Sequence, residues 1–147
     1  MSLFIGEHDA SVDAKGRVFI PAVFRKALPP EANETFVVAS GLDGCLAAYG
    51  SDEWLGMTEK MRRLATNERK HRVFIRAVVS QASEAKIDRQ GRITIPKHLL
   101  EKANIHDKVK VVGALDKIEL WNPEIWLGFM KDADAVLEEV AEEIDLY

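Results

Sequence analysis

With 147 residues the chain has room for one domain or two small intertwined halves, and too little for a multidomain enzyme. It is 47% hydrophobic and 30% charged, the balance of a folded globular chain. No apolar run approaches the ~18 residues of a membrane helix. The formal net charge of −4 is unevenly placed: residues 131–147 hold one base against seven acids, whereas residues 60–92 hold ten bases and three acids. Such a chain can turn a positive face toward a polyanion in spite of its overall sign.

The N-terminus, MSLFIGEHDA, lacks a basic region, a long apolar stretch and a small-residue cleavage site, so no signal peptide is expected. Ala10 to Val12 ends a first strand. Asp13-Ala14-Lys15-Gly16 follows as a turn, with glycine free to take positive φ. Arg17-Val18-Phe19-Ile20 makes a second strand, and Pro21 opens a helix that Pro29-Pro30 stops. Phe36–Ala39 and Cys45–Tyr49 flank Gly41-Leu42-Asp43-Gly44 and read as a hairpin.

Ser51 is the expected N-cap of an inserted helix with Trp54, Met57, Met61 and Leu64 at helical spacing. Residues 67–79 open either a second helix or, from Val73 to Val79, a strand. The β–turn–β–α–β–β pattern then returns: Ala85–Ile87, Arg92–Ile95, a helix from Pro96, Val109–Val112 and Ile118–Trp121. Asn122 and Pro123 start a closing helix. Its stripe of Trp126, Phe129, Met130, Ala133, Leu137, Val140 and Ile144 is expected to pack on the core, with a contact between subunits as the sharper alternative.

The recurrence is an internal repeat. Residues 12–21, VDAKGRVFIP, and residues 87–96, IDRQGRITIP, share Asp, Gly, Arg, Ile and Pro in register at an offset of 75. Leu46, Tyr49 and Trp54 match Ile118, Trp121 and Trp126 at an offset of 72. The expected organisation is a first half over 5–54, a helical insert over 55–82, a second half over 83–126 and an acidic C-terminal helix over 127–147.

Asp13 and Asp88 are suited to capping backbone amides, Gly16 and Gly91 to the left-handed turn position, and Arg17 and Arg92 to pairing with those aspartates. The cations suit a second task. Lys15 and Arg17 at one turn, with Arg89 and Arg92 at the other, offer charge at two equivalent points, which matches two positions on a duplex. Lysine neutralises phosphate, and arginine can also fork onto guanine. Arg25 and Lys26 extend the surface of the first half. Gln90 stands where the first turn has Lys15, and Leu100-Glu101 where the first helix has Arg25-Lys26, so the second half should contribute less.

Catalysis finds little support. There is no phosphate-binding GxxxxGK[ST], no dinucleotide GxGxxG after a strand, no HExxH and no GxSxG. His8, His71, His98 and His106 lack metal-ligand spacing, so surface histidines and no metal are expected. Cys45 lies in an apolar strand and reads as a small core residue; a lone cysteine suits a reducing compartment. Trp54 and Trp126 read as packing anchors.

The paired motifs resemble the AbrB/SpoVT-type swapped-hairpin DNA-binding motif, and two in one chain of this length resemble the MraZ family. Gly41–Leu46 followed by Trp54, and Gly113 with Ile118–Trp121, carry the likeness over about residues 4–126. The resemblance implies an α+β fold with a double-psi-like β-barrel of two intertwined halves. It implies a cytoplasmic, nucleoid-associated regulator without a cofactor. Such a regulator forms a ring-like homo-oligomer on direct repeats in promoter DNA, beside division and cell-wall genes, and usually lowers expression of its own operon. It places Arg17 and Arg92 on the arginine of the DNA-binding motif, Lys15 on its basic turn residue, and Arg25 and Lys26 on basic helix positions. The rival class is an antitoxin-like or scaffold module that binds a protein partner.

Overall fold

A computed structural model describes residues 3–64 and 66–146. Among the described residues eight strands, six α-helices and one 3-10 turn (Pro30–Ala32) form. The first half holds β1 (Glu7–Ser11), β2 (Arg17–Phe19), α1 (Ala22–Ala27), β3 (Thr35–Ser40) and β4 (Leu46–Gly50). The insert holds α2 (Ser51–Arg62) and α3 (Arg69–Val79). The second half holds β5 (Ser83–Lys86), β6 (Arg92–Thr94), α4 (Lys97–Lys102), β7 (Lys108–Gly113) and β8 (Ile118–Trp121). α5 (Pro123–Phe129) and α6 (Ala133–Glu143) follow.

The halves interleave. A six-stranded antiparallel sheet runs β1-β7-β8-β4-β3-β5, and β2 pairs with β6 in a separate two-stranded ribbon. Every pairing respects the repeat. Ala10 faces Val109 where its equivalent Ala85 faces Phe36. Ala47 faces its own equivalent Glu119, and Val18 faces its own equivalent Ile93. An approximate twofold axis therefore passes through both pairs. The fold is mixed α+β, and its sheet is open: the ladder ends at β1 and β5. An isolated bridge from Val12, the residue after β1, to Val18 of β2 links the ribbon to the sheet's edge.

Alternation along the strands sets the layers. One face of the sheet and the inner face of the ribbon enclose Phe4, Val18, Ile20, Phe24, Phe36, Val38, Ile93, Ile95, Leu99 and Leu120, each at most 1% exposed. Burying each such side chain stabilises the fold by about 1.5–3 kcal/mol before entropy is counted. The sheet's other face carries Cys45, Tyr49, Glu119 and Trp121. Trp121 meets Trp126 at 5.3 Å and Phe129 at 5.1 Å between ring centres, while Tyr49 meets Trp54 at 6.0 Å. The two tryptophans are thus equivalent packing anchors, as expected.

Three local expectations change. Ser51 is the first residue of α2, not its cap, and its hydroxyl donates to the Ala32 carbonyl at 2.7 Å. Residues 69–79 are helical, because half-buried His71, Arg72, Ile75 and Val78 recur at helical spacing on one face. The closing helix is two helices. Asn122 caps the first as expected, accepting from the Glu124 and Ile125 amides. The chain leaves helical pairing at Met130–Asp132, so the Trp126–Phe129 end of the stripe packs on Trp121 while Leu137, Val140 and Ile144 stay exposed.

No helix among the described residues is long and apolar enough to cross a membrane.

Candidate nucleic-acid interface

The two repeated turns are built alike. Asp13 Oδ1 accepts from the Lys15 and Arg17 amides at 3.0 and 2.9 Å, and its Oδ2 accepts from Arg17 Nε at 2.6 Å. Asp88 Oδ1 accepts from the Gln90 and Arg92 amides at 2.8 and 2.9 Å, and its Oδ2 from Arg92 Nε at 3.0 Å. Those bonds hold both carboxyls below the usual aspartate range; the amide bond from Arg17 or Arg92 is the largest cause in each. Gly16 and Gly91 close the turns at φ +80° and +81°, where a side chain is strained.

The ribbon then aims the arginines. β2 and β6 bury Val18 and Ile93, so Arg17, Phe19, Arg92 and Thr94 share the opposite, outward face. Arg17 and Arg92 remain 32% and 27% exposed. Their hydrogen bonds within each turn use Nε, and of the terminal nitrogens that match a phosphate or a guanine edge only Arg92 Nη1 reaches a turn carboxylate, that of Asp13. Arg92 also lies 4.0 Å from Asp13, which joins the two turn systems across the twofold.

Each turn is locked onto the other half's strand. The Ile95 amide donates to the Gly16 carbonyl at 2.9 Å, and the Ile20 amide donates to the Gly91 carbonyl at 2.9 Å. Consequently each half's helix covers the other half's turn. Arg25 of α1 lies against Gly91: a Cβ there would fall 2.9 Å from Arg25 Cζ and 3.1 Å from Phe19 Cε1. Its Nε donates to the Ile20 carbonyl at 2.8 Å, and its guanidinium sits 5.2 Å from the Phe19 ring centre. Leu100 of α4 takes the equivalent place over Gly16.

This reverses part of the sequence expectation. Arg25 does not enlarge the first turn; it joins Glu34, Lys86, Ile87, Asp88 and Arg89 around a cleft of about 610 Å³ at the second. Gln90 had marked that turn as the poorer one. Lys86, from the end of β5, was missed because nothing in its local sequence ties it to Arg25. Lys15 is exposed at the first turn and Arg89 at the second. Lys26 is exposed on α1 and makes no hydrogen bond or ion pair among the described residues.

The other chemistry-bearing residues are accounted for by packing. Cys45 is buried, its Sγ lies 3.2 Å from the Leu42 carbonyl, and burial pushes its pKa up to about 12. His8 packs edge-on against Phe24, His98 meets the Gln81 carbonyl, and His106 meets Asn104. No cluster of three metal-ligating side chains occurs among the described residues.

A tandem module in which two interlocked halves present paired arginine turns defines the class to which this molecule belongs. The family model described as "MraZ protein, putative antitoxin-like" matches the chain twice, over residues 3–77 and 78–146. The protein named "Transcriptional regulator MraZ" of Caldanaerobacter subterraneus subsp. tengcongensis is 40% identical over 143 residues, covering 97% of each chain. The chain belongs to the MraZ family.

Proposed function

We propose that this protein is a sequence-specific DNA-binding transcriptional regulator, with Arg17 and Arg92 as its central readers. The observation that carries this is the outward face of the β2–β6 ribbon, where two arginines are oriented in advance by Asp13 and Asp88. Preorganisation lowers the entropy lost on binding. Lys15 adds a cation beside Arg17; Arg25, Lys86 and Arg89 add three beside Arg92. In this reading Lys15, Arg89, Arg25 and Lys26 contact phosphates, and the ribbon arginines reach base edges. The name of the relative from Caldanaerobacter supports the regulatory part.

The finer elements of the reading follow from the family resemblance. The regulator assembles into a ring-like homo-oligomer on repeated promoter sites, is nucleoid-associated, and represses its own operon of division and cell-wall genes. Its two-stranded ribbon closes the open sheet into a swapped-hairpin barrel, a view supported by the Val12–Val18 bridge. A single subunit offers few phosphate contacts, and linkage of subunits raises avidity by ~10²-fold or more where repeat spacing fits.

Fluorescence anisotropy with a duplex from upstream of the protein's own gene tests it, against a scrambled duplex. Native duplex should bind more tightly, with affinity falling as salt rises. Arg17→Ala and Arg92→Ala should each cost about 1–3 kcal/mol of binding, or roughly 5–150-fold. Equal affinity for both duplexes would reduce the surface to a generic polyanion binder. Absence of binding to either would favour the antitoxin-like or scaffold alternative.

A further inference from the structure

Two uncovered surfaces of this molecule are complementary in charge and share an apolar seam. The first is the insert. Residues 60–76 hold seven bases (Lys60, Arg62, Arg63, Arg69, Lys70, Arg72, Arg76) against one acid, Glu68. Among them Val73 and Phe74 are 46% and 48% exposed, beside an apolar groove of about 370 Å³ between α2, α3 and the sheet. Tyr49, Trp54, Met57, Met61, Phe74 and Val78 line that groove. The second surface is α6. Residues 131–146 hold seven acids against one base, Lys131. Ala133, Leu137, Val140 and Ile144 recur along one side of that helix, and the last three are 57%, 41% and 61% exposed.

Within one chain α6 makes no more than marginal contact with any other element among the described residues. An exposed apolar helix face of this kind marks an interaction site. We propose that α6 of one copy docks on the α2–α3 hairpin of a neighbouring copy. This rests on the homo-oligomeric part of the proposed function and names its contact. The apolar stripe of α6 lies against Val73, Phe74 and the groove, and its acids meet the insert's bases. Donor and acceptor are different patches, so the contact is head-to-tail. A head-to-tail contact leaves one free donor and one free acceptor after every addition, and it ends only by closing into a ring. The insert's basic charge is then satisfied by protein, and the ribbon face remains open.

A charge swap tests the pairing. Arg69→Glu/Arg76→Glu reverses the hairpin, Glu139→Lys/Glu143→Lys reverses α6, and a third protein carries all four changes. Masses come from light scattering over a concentration series, with circular dichroism to confirm folding. Wild type should be a multiple of the 16.5 kDa chain. Each double variant should need about tenfold more protein to assemble, and the four-fold variant should regain assembly. Leu137→Ser/Val140→Ser, which removes the seam and leaves every charge, should also weaken assembly. A monomeric wild type, double variants that assemble like wild type, or a four-fold variant that stays dissociated would each overturn the proposal. Anisotropy on a single-site duplex, run in parallel, reports the DNA reading separately. Loss of wild-type binding there would sink that reading without altering the masses.

Discussion

Gly16 and Gly91 occupy equivalent turns at nearly the same φ, yet replacing them with alanine should have unequal consequences. Each alanine enters the left-handed region, at a cost of about 1–2 kcal/mol. The added methyl then meets different obstacles. At Gly16 it would stand 2.6 Å from the Ile95 carbonyl oxygen, which is backbone in the ribbon's own pairing. Relief requires the strands to separate and weakens the 2.9 Å bond from the Ile95 amide to Gly16. We expect a further loss of about 1–3 kcal/mol there. At Gly91 the nearest atoms are Arg25 Cζ at 2.9 Å and Nε at 3.0 Å, the far end of a flexible side chain. Displacing it loses one hydrogen bond and one cation–π contact, together about 1–2 kcal/mol at most. With about 3 °C per kcal/mol for a chain of this size, Gly16→Ala should melt roughly 6–15 °C below wild type. Gly91→Ala should melt about 3–12 °C below it. Thermal unfolding at one fixed protein concentration measures both, and DNA titrations below the transition complete the comparison. Gly91→Ala should lose affinity out of proportion to its smaller stability loss, because it moves Arg25. A Gly91→Ala protein less stable than Gly16→Ala, or one that binds DNA like wild type, would refute the reasoning.

Arg25→Leu should lower stability by no more than about 1 kcal/mol, since Leu100 already fills the equivalent place, but should weaken DNA binding about fivefold or more; anisotropy and a melting curve on the same sample separate the two. The depressed pKa of Asp13 gives a stabilising contribution that is full at neutral pH and fades only as pH falls through the lowered value. The melting-temperature gap between wild type and Asp13→Asn should therefore still be open at about pH 4 and close below it; a gap already gone at about pH 5 would contradict the turn geometry. Cys45, with a pKa of about 12, should hold roughly a thousandfold less thiolate at pH 8 than an ordinary cysteine. Iodoacetamide should label it slowly until denaturant is added, and rapid labelling of folded protein would show the strand is not closed over it.

Much of the molecule is legible in its sequence because the informative signals are local. Asp, Gly and Arg at fixed spacing specify the turn, and the proline after each copy specifies the helix start. Asn122-Pro123 specifies the start of α5 in the same way. What stays hidden depends on pairing between distant segments. Arg25 belongs to the second turn only because Val18 pairs with Ile93, and that register brings α1 to Gly91. Lys86 joins it for the same reason. The open sheet was equally hidden, since neither half's strands state which partners close an edge. The division of the last helix escaped for the opposite reason. Apolar spacing continues from Trp126 to Ile144 with no proline to interrupt it, so periodicity alone runs straight through Met130–Asp132.

The interleaving of the two halves bears on synthesis. When the ribosome has released the first half, β1, β2 and β3 have no partners from the second: β7, β6 and β5 have yet to emerge. The nascent chain must carry unpaired strand edges until translation has nearly finished, a state prone to aggregate or to seek another nascent copy. Joining the repeats in one polypeptide limits that hazard. The second half arrives tethered to the first, at an effective concentration in the millimolar range for a short linker, whatever the abundance of the protein in the cell. The same tether lets the copies differ. Two separate identical subunits would carry the same residue over both glycines; here an arginine covers one and a leucine the other.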